Sequence, residues 1–186
     1  MSAIDEKAMI ARIVAGENAL FEDLYERYRK DVFALAWRMC GNQDDALDVV
    51  SETFLKAYRG LARFEGKASF STWLYRITVN EANNSLRRRS HSRESPLEDT
   101  AAAADDPGIQ QFHEQLDQAD RLDRLRSALA VLDPDDRLIL SLKYDQGKSY
   151  EDISRITGMP SGTIGTRLHR AKKQLMQAMK EGGANQ

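Results

Sequence analysis

The sequence predicts an all-α fold of two small helical domains joined by a flexible acidic linker. Apolar residues recur at steps of three and four, as on one face of a helix, and no run alternates as in a half-buried strand. The 186 residues suffice for one ordinary domain or two small ones. From residue 90 to about 117 the periodicity lapses into serine, proline, alanine and acidic residues, which is linker composition. We therefore predict domains at residues 8–93 and 121–180, with the linker at 94–120.

Three helices are predicted in the first domain. The first covers residues 21–39 and ends at the stretch GNQ, after which Asp44 or Asp45 is expected to cap the second helix. The apolar stripe of the second helix is assigned to Leu47, Val50, Phe54 and Tyr58. Its solvent side is assigned to Asp45, Asp48, Ser51, Glu52 and Lys56. The third helix follows the stretch FEGKASF and covers residues 70–89.

The second domain has the layout of a helix-turn-helix. Asp133 is expected to cap a helix with Pro134 in its first turn, and Ser149 with Asp152 resembles a capping box that opens the next helix. The stretch GMPSG is the predicted turn, and the last helix is predicted at about residues 163–179.

The last helix separates into an apolar side and a basic side. On a helical wheel, the buried side consists of Ile164, Leu168, Ala171 and Leu175. The opposite side, with its flanks, consists of Gly165, Thr166, Arg167, His169, Arg170, Lys172 and Lys173. A surface that carries several cations and no acid predicts DNA binding, because arginine binds guanine edges or phosphates and lysine neutralises phosphates. The alternative is a basic surface helix in a plain helical bundle.

The helix at 70–89 separates in the same way. Its core side consists of Leu74, Tyr75, Thr78, Val79, Ala82, Ser85 and Leu86. Its polar side consists of Trp73, Arg76, Asn80, Asn83, Asn84 and Arg87. A tryptophan among such donors suits stacking on bases combined with phosphate contacts. The alternative is that Trp73 folds back under the FEGKASF loop as part of the core.

The charges are segregated although the net charge is only −2. Residues 94–120 hold eight acids and no lysine or arginine, whereas residues 161–180 hold five lysines and arginines and no acid. Residues 67–93 hold six lysines and arginines against Glu81 alone. We expect two anion-binding surfaces on separate modules, and a linker that is either a solvated tether or a shield for a basic surface of the same chain.

The sequence disfavours disulfide-bonded, redox-sensing, metal-binding, enzymatic and membrane-inserted proteins. The single cysteine, Cys40, cannot form an internal disulfide, and we expect a buried structural thiol rather than a redox sensor. His91, His113 and His169 are scattered, so no metal and no cofactor are expected. No nucleophile and base lie in a catalytic pattern, so we expect no enzyme. No signal peptide or apolar run of about 20 residues is visible, so we expect a cytoplasmic protein without membrane insertion.

Three segments closely resemble bacterial RNA polymerase sigma factors of the extracytoplasmic-function (ECF) type. They are FEGKASFSTWLYRITVNEANNSLRRR, LDPDDRLILSLKYDQGKSYEDISRITGMPSGTIGTRLHRAKKQL and DDALDVVSETFLKAYRG. The resemblance covers about residues 8–93 and 121–180, in the order of the family. It implies a region 2-like bundle and a region 4-like helix-turn-helix that dock on core polymerase, at the β′ clamp and the β flap, and recognise the −10 and −35 elements of a promoter.

The resemblance also implies three sets of site residues. The −10 element would be melted and held as a single strand by Phe64, Gly66, Lys67, Phe70, Trp73, Arg76, Asn80, Asn84, Arg87 and Arg88. The −35 duplex would be bound by Thr163, Thr166, Arg167, His169, Arg170 and Lys173. Core polymerase would be bound by Asp45, Asp48, Ser51 and Glu52. The chain departs from the family at Ser51, Gly165 and His169, where glutamine, a basic residue and an aromatic or aliphatic residue are frequent.

The leading hypothesis is therefore a promoter-specificity subunit, with an anti-sigma factor as its expected regulator. A second hypothesis is a sigma-mimicking decoy that titrates an anti-sigma factor, although such a decoy would not need DNA-facing residues such as Arg76, Asn80 and Arg170. A third hypothesis is an ordinary helix-turn-helix repressor or activator, which leaves the first domain unexplained.

Overall fold

The computed structural model describes residues 3–92, 128–129 and 131–181. Seven α-helices lie in these ranges: α1 Ala3–Val14, α2 Phe21–Cys40, α3 Gln43–Gly60, α4 Phe70–Ser92, α5 Pro134–Tyr144, α6 Tyr150–Thr157 and α7 Ser161–Glu181. Short 3₁₀ turns at Asn18–Leu20 and Leu61–Arg63 precede α2 and follow α3. The described ranges contain no strand, which confirms the all-α prediction.

The helices fall into two compact units. The first comprises α1–α4 together with Arg155–Gly158, and the second comprises α5, α7 and residues 150–154. The predicted linker, 94–120, lies outside the described residues. The exact domain boundaries therefore stay a prediction.

The core of the first unit lies between α2, α3 and α4, which pack on one another. Fully buried side chains come from each helix, among them Leu24, Leu35, Ala46, Ala57 and Leu74. Tyr75 also lies in this core, and its hydroxyl donates to Oδ2 of Asp31 on α2 over 3.2 Å. Burial, reinforced by the charge of Asp31, raises the pKa of Tyr75 well above its ordinary value.

Helix α3, which is the second helix of the prediction, differs from it in two respects. Asn42 caps α3, since its Oδ1 accepts from the backbone N–H of Asp45 over 2.9 Å, so neither predicted aspartate is the cap. Leu47 and Tyr58, which were assigned to the buried stripe, are 48% and 41% exposed. Val50 and Phe54 are buried as predicted, and the other buried residues of α3 are Ala46, Val49, Thr53 and Ala57. Helix α3 packs against both α2 and α4, and Ala46 and Ala57 are fully buried in these contacts.

The sequence reading missed helix α1. Its Ile10 and Ile13 are buried, and the carboxylate of Glu6 accepts hydrogen bonds from Tyr28 over 2.5 Å and Arg27 over 3.3 Å on α2. Burial, together with the hydrogen bond and charge of Glu6, raises the pKa of Tyr28 above its ordinary value. The first unit thus includes one helix, Ala3–Val14, that was not predicted.

Helices α6 and α7 correspond to the predicted helix-turn-helix. Ser149 accepts the backbone N–H of Asp152 over 3.0 Å and so caps α6. Gly158 has a φ of +76°, a conformation that side chains other than glycine rarely adopt, and it ends α6. The turn is shorter than predicted because α7 begins at Ser161, within the stretch GMPSG. Ile164, Leu168 and Ala171 of α7 are buried, as expected, with Leu175 half-buried.

Candidate nucleic-acid interface

Helix α4 presents a polar face to solvent, as its wheel predicted. The exposed residues are Arg76, Asn80, Asn83, Asn84, Arg87 and Arg88. The buried residues on the opposite side include Leu74, Tyr75, Thr78, Val79, Ala82 and Ser85. The apolar side of α4 packs against α2 and α3, so the arginine and asparagine side chains of its polar side lie at the surface.

Trp73 belongs to an aromatic cluster beneath the FEGKASF loop. Its ring centroid lies 5.2 Å from that of Phe64 and 5.7 Å from that of Phe70. A Cβ on Gly60, at the end of α3, would stand 3.3 Å from the Trp73 ring, so this glycine permits the close approach. Trp73 is half-buried under the loop, as the alternative expects, and its contact with the −10 strand stays a prediction. Phe70 is only 2% exposed, so its ring lies in the core.

The loop itself is held at its tip and at its end. Gly66 has a φ of +68°, which favours glycine, and the neighbouring Lys67 pairs with Glu65 at the exposed surface. Ser69 accepts the backbone N–H of Thr72 over 3.2 Å, which caps the first turn of α4. Residues 65–67 of the loop, including the ammonium group of Lys67, are therefore exposed next to the aromatic cluster of Phe64, Phe70 and Trp73.

A groove of about 610 Å³ runs between α3 and α4. It is lined by Glu52, Lys56, Glu81, Asn84, Arg87 and Arg88. The Nζ of Lys56 lies 2.6 Å from the carboxylate of Glu81, whose side chain is only 9% exposed. The sequence reading missed this pair, because a wheel for α4 alone shows Glu81 but not the cation that α3 supplies. The groove also places Glu52, expected to bind polymerase, beside three residues expected to bind the −10 strand.

The residues expected to bind polymerase are only partly at the free surface. Asp48, Ser51 and Glu52 are exposed along α3, and the hydroxyl of Ser51 donates to the carbonyl of Leu47 over 3.0 Å. Asp45 is engaged within the unit, because its carboxylate accepts from Asn42 over 2.7 Å and lies 3.6 Å from Arg89. The structure thus brings three of the four residues to one accessible helix face.

Helix α7 presents most of its expected DNA-facing residues to solvent. The exposed ones are Thr163, Thr166, His169, Arg170 and Lys173. The hydroxyl of Thr166 donates to the carbonyl of Gly162 over 3.0 Å, which leaves its methyl group and oxygen lone pairs for a partner. Gly165 is flanked only loosely, since an added Cβ would lie 3.9 Å from the ring of Tyr150.

Arg167 differs from the other expected DNA-binding residues because acids of α5 hold it. Its Nε donates to Asp136 over 2.5 Å and its Nη1 to Asp135 over 3.1 Å, and its side chain is 22% exposed. Burial lowers the pKa of Arg167, but the hydrogen bonds and charges of both aspartates outweigh it and leave the pKa above its ordinary value. Arg170 also donates to Asp136, over 2.9 Å.

Cys40 is a buried free thiol, and burial raises its pKa to about 11, as a structural role requires. Within residues 3–92 and 131–181, no group of three or more histidine, cysteine or acidic side chains could hold a metal ion. None of the described helices is long and apolar enough to cross a membrane.

Family profiles of known proteins match segments in both parts of the chain. The profile described as Sigma-70 region 2 matches residues 24–92, and that described as Sigma-70, region 4 matches residues 122–175. The RNA polymerase sigma-H factor of Pseudomonas aeruginosa is 31% identical over 181 residues, covering 94% of this chain and 93% of that protein. The ECF RNA polymerase sigma-E factor of Haemophilus influenzae is 34% identical over 185 residues, covering 92% of this chain and 94% of that protein.

A solved structure agrees with these relatives. The sigma factor RpoE from Bartonella quintana, crystallised in complex with the anti-sigma factor NepR, is 27% identical and superposes with a TM-score of 0.67, covering 86% of this chain and 96% of that chain. The chain thus matches two sigma regions in the order of the family. Two relatives are more than 30% identical to it over more than 90% of its length. The chain belongs to the extracytoplasmic-function RNA polymerase sigma factors, a family of transcription initiation factors.

Proposed function

We propose that the chain binds core RNA polymerase and directs it to a distinct class of promoters. The observation that carries this proposal is a pair of cation-rich helix faces, one on α4 and one on α7, each backed by its own core. The protein acts by binding alone, and polymerase supplies the chemistry of RNA synthesis. It accordingly works in the cytoplasm, where bacterial polymerase is found.

At the −10 element, the first unit would hold an opened strand. Unpairing and unstacking cost a few kcal/mol per base, so contacts made only to the single strand must offset that cost. The amides of Asn80 and Asn84 can bond base edges, and Arg76 and Arg87 can bond phosphates. Phe64, half-buried on the ring of Trp73, is the aromatic face that a flipped base could reach, whereas the buried Phe70 supports it.

At the −35 element, α7 would lie in the major groove. The Arg170 guanidinium suits a guanine edge, and Lys173 suits a phosphate. The methyl group of Thr166, whose hydroxyl is already bonded to Gly162, suits the methyl group of thymine. His169 takes the position next to Arg170 on this face, and its contribution sets part of the promoter preference.

Core polymerase would be bound by both units. The acidic and polar row Asp48, Ser51 and Glu52 on α3 suits a polar helix–helix contact with the β′ clamp. The second unit would bind the β flap. We propose the domain boundaries 8–93, 94–120 and 121–180 for these two roles and the connection between them.

Control by an anti-sigma factor follows from the same family membership. The Bartonella relative was crystallised with such a factor, and its sequence identity to this chain is 27%. We propose that a comparable partner binds this chain and covers its DNA-facing helices. Affinity purification of the chain from unstressed cells should recover this partner, and recovery of the chain alone would contradict the proposal.

Run-off transcription with core polymerase on genomic DNA tests the main proposal. We expect new start sites that share −35 and −10 sequences and are absent with core polymerase alone. Failure of the purified chain to bind core polymerase would overturn it. A decoy would bind an anti-sigma factor without initiating transcription. An ordinary regulator would bind duplex DNA tightly without polymerase.

A further inference from the structure

One buried carboxylate is shared by two arginines of the helix expected to read the −35 element. Asp136, on α5, is 1% exposed. Its Oδ1 accepts from Nε of Arg167 over 2.5 Å, and its Oδ2 accepts from Nη2 of Arg170 over 2.9 Å. Both oxygens of the carboxylate are therefore bonded to α7, and each bond is charge-assisted.

The two arginines are held to different degrees. Arg167 uses two nitrogens, one on Asp136 and one on Asp135, and only 22% of its side chain is exposed. Arg170 uses one terminal nitrogen, and 55% of its side chain is exposed. Arg167 is consequently bound within the protein, whereas Arg170 keeps donors of its guanidinium for an outside partner.

We propose that Asp136 is a positioning residue for −35 specificity and that it acts through Arg170. This inference rests on the proposed function. A guanidinium that is already ordered loses less rotamer freedom when it meets a base edge, and a fixed plane distinguishes bases better than a mobile one. The buried negative charge also weakens non-selective attraction to phosphates. Asp136 thereby lowers general DNA affinity and raises discrimination between bases.

The test compares Asp136→Asn with Asp135→Asn in polymerase holoenzyme. Asp135 accepts from Arg167, whereas the hydrogen bond of Arg170 goes to Asp136, so Asp135 provides a matched control in the same turn of α5. The measured quantity is the ratio of dissociation constants for a scrambled −35 element and for the −35 element found by run-off transcription. We expect Asp136→Asn to reduce this ratio about three- to tenfold, a part of what a lost arginine–base pair costs. Affinity for the scrambled element should stay the same or rise, and Asp135→Asn should leave the ratio unchanged.

A purely structural role predicts a different result. Asp136→Asn would then weaken binding to both elements in parallel and leave the ratio unchanged, which overturns the proposal. Arg170→Ala supplies the second comparison, because adding Asp136→Asn to it should reduce the ratio no further. A further reduction in the double variant would mean that Asp136 does not act through Arg170, and would also overturn it.

A measurement on the unaltered chain keeps the proposal testable if Asp136→Asn does not fold. Nitrogen-15 relaxation of the arginine side chains should show Arg170 Nε ordered in the free protein, although less than that of Arg167, which has two bonded nitrogens. An Arg170 side chain as mobile as in the urea-unfolded chain would overturn the proposal. If the unaltered chain initiates transcription at no promoter, the proposed function is wrong. If the unaltered chain initiates transcription but has the same ratio of dissociation constants as Asp136→Asn, only the inference about Asp136 is wrong.

Discussion

At the scale of single residues, an ion pair between a lysine and a buried glutamate joins two helices of the first unit. Lys56 is 45% exposed, yet its ammonium lies 2.6 Å from a Glu81 carboxylate that is almost out of solvent. A carboxylate in that position loses hydration and needs its partner, so removing one member costs more than the pair contributes as a whole. Lys56 therefore fixes α3 to α4 next to the groove of about 610 Å³.

Removing this ammonium should destabilise the first unit. We expect Lys56→Met to lower the free energy of unfolding by about 1–3 kcal/mol, because it leaves Glu81 buried without its cation. Urea titration followed by tryptophan fluorescence reports on this unit alone, since both tryptophans, Trp37 and Trp73, belong to it. The matched control is Lys56→Met combined with Glu81→Leu, which should recover most of the loss. A double variant as unstable as the single one would contradict the pairing argument.

The thiol of Cys40 gives a prediction about pH. Burial raises its pKa from 9.0 to about 11, with a smaller contribution from Asp45. The unfolded chain releases the thiol proton above about pH 9 while the folded chain keeps it until about pH 11, so stability falls with rising pH in that window, by about 2–3 kcal/mol. Cys40→Ala removes this contribution and leaves those of Tyr28 and Tyr75. The difference in unfolding free energy between the unaltered chain and Cys40→Ala should therefore change between pH 9 and 11, and a constant difference would refute it.

At the scale of whole helices, patterns within one helix were readable from the sequence, and contacts between helices were not. The faces of α4 and α7 follow from their own periodicity. The burial of α3 does not, because its position between two helices selects Ala46 and Ala57 rather than the larger Leu47 and Tyr58. Asp136 shows the same limit. Its place in the first turn of α5 suggests only a favourable interaction with the helix dipole, and the contact with Arg167 of α7 depends on the fold.

Among the elements, α7 carries the clearest departure from the family, at Gly165. Glycine inside a helix costs about 0.5–1 kcal/mol relative to alanine. An added Cβ would lie 3.9 Å from Tyr150, an ordinary contact, so a Cβ atom is accommodated at this position. We expect Gly165→Arg to raise the midpoint of thermal unfolding and to steepen the salt dependence of DNA binding by about one counterion.

The matched control for this prediction is Gly165→Ala. It should give a comparable gain in thermal stability by circular dichroism, without any change in the salt slope. The slope is measured as the logarithm of the binding constant for −35 duplex against the logarithm of salt concentration. Equal slopes for the arginine and alanine variants would show that position 165 does not face the phosphate backbone.

At the scale of the whole molecule, charge is divided between two basic helix faces and the acidic stretch that lies between them in sequence. The net charge of the whole chain, −2, conceals this division. A sigma factor that coated DNA without polymerase would be lost on non-promoter sites, since phosphate neutralisation dominates non-specific affinity. Residues 94–120 contain eight acids and no lysine or arginine. The same chain therefore carries a negative segment and two basic helix faces.

If these acids shield a basic face, neutralising them should increase the DNA affinity of the free chain. We expect a variant with Glu94, Glu98, Asp99, Asp105 and Asp106 changed to their amides to bind random duplex DNA about two- to tenfold more tightly at about 50 mM salt. The gain should vanish near 300 mM salt, where the Debye length falls below about 6 Å. A shuffled 94–120 segment of the same composition keeps the charge and should bind like the unaltered chain. Unchanged affinity of the neutralised variant at low salt would leave the acidic segment as a solvated tether, because its charge would then act on neither DNA-facing helix.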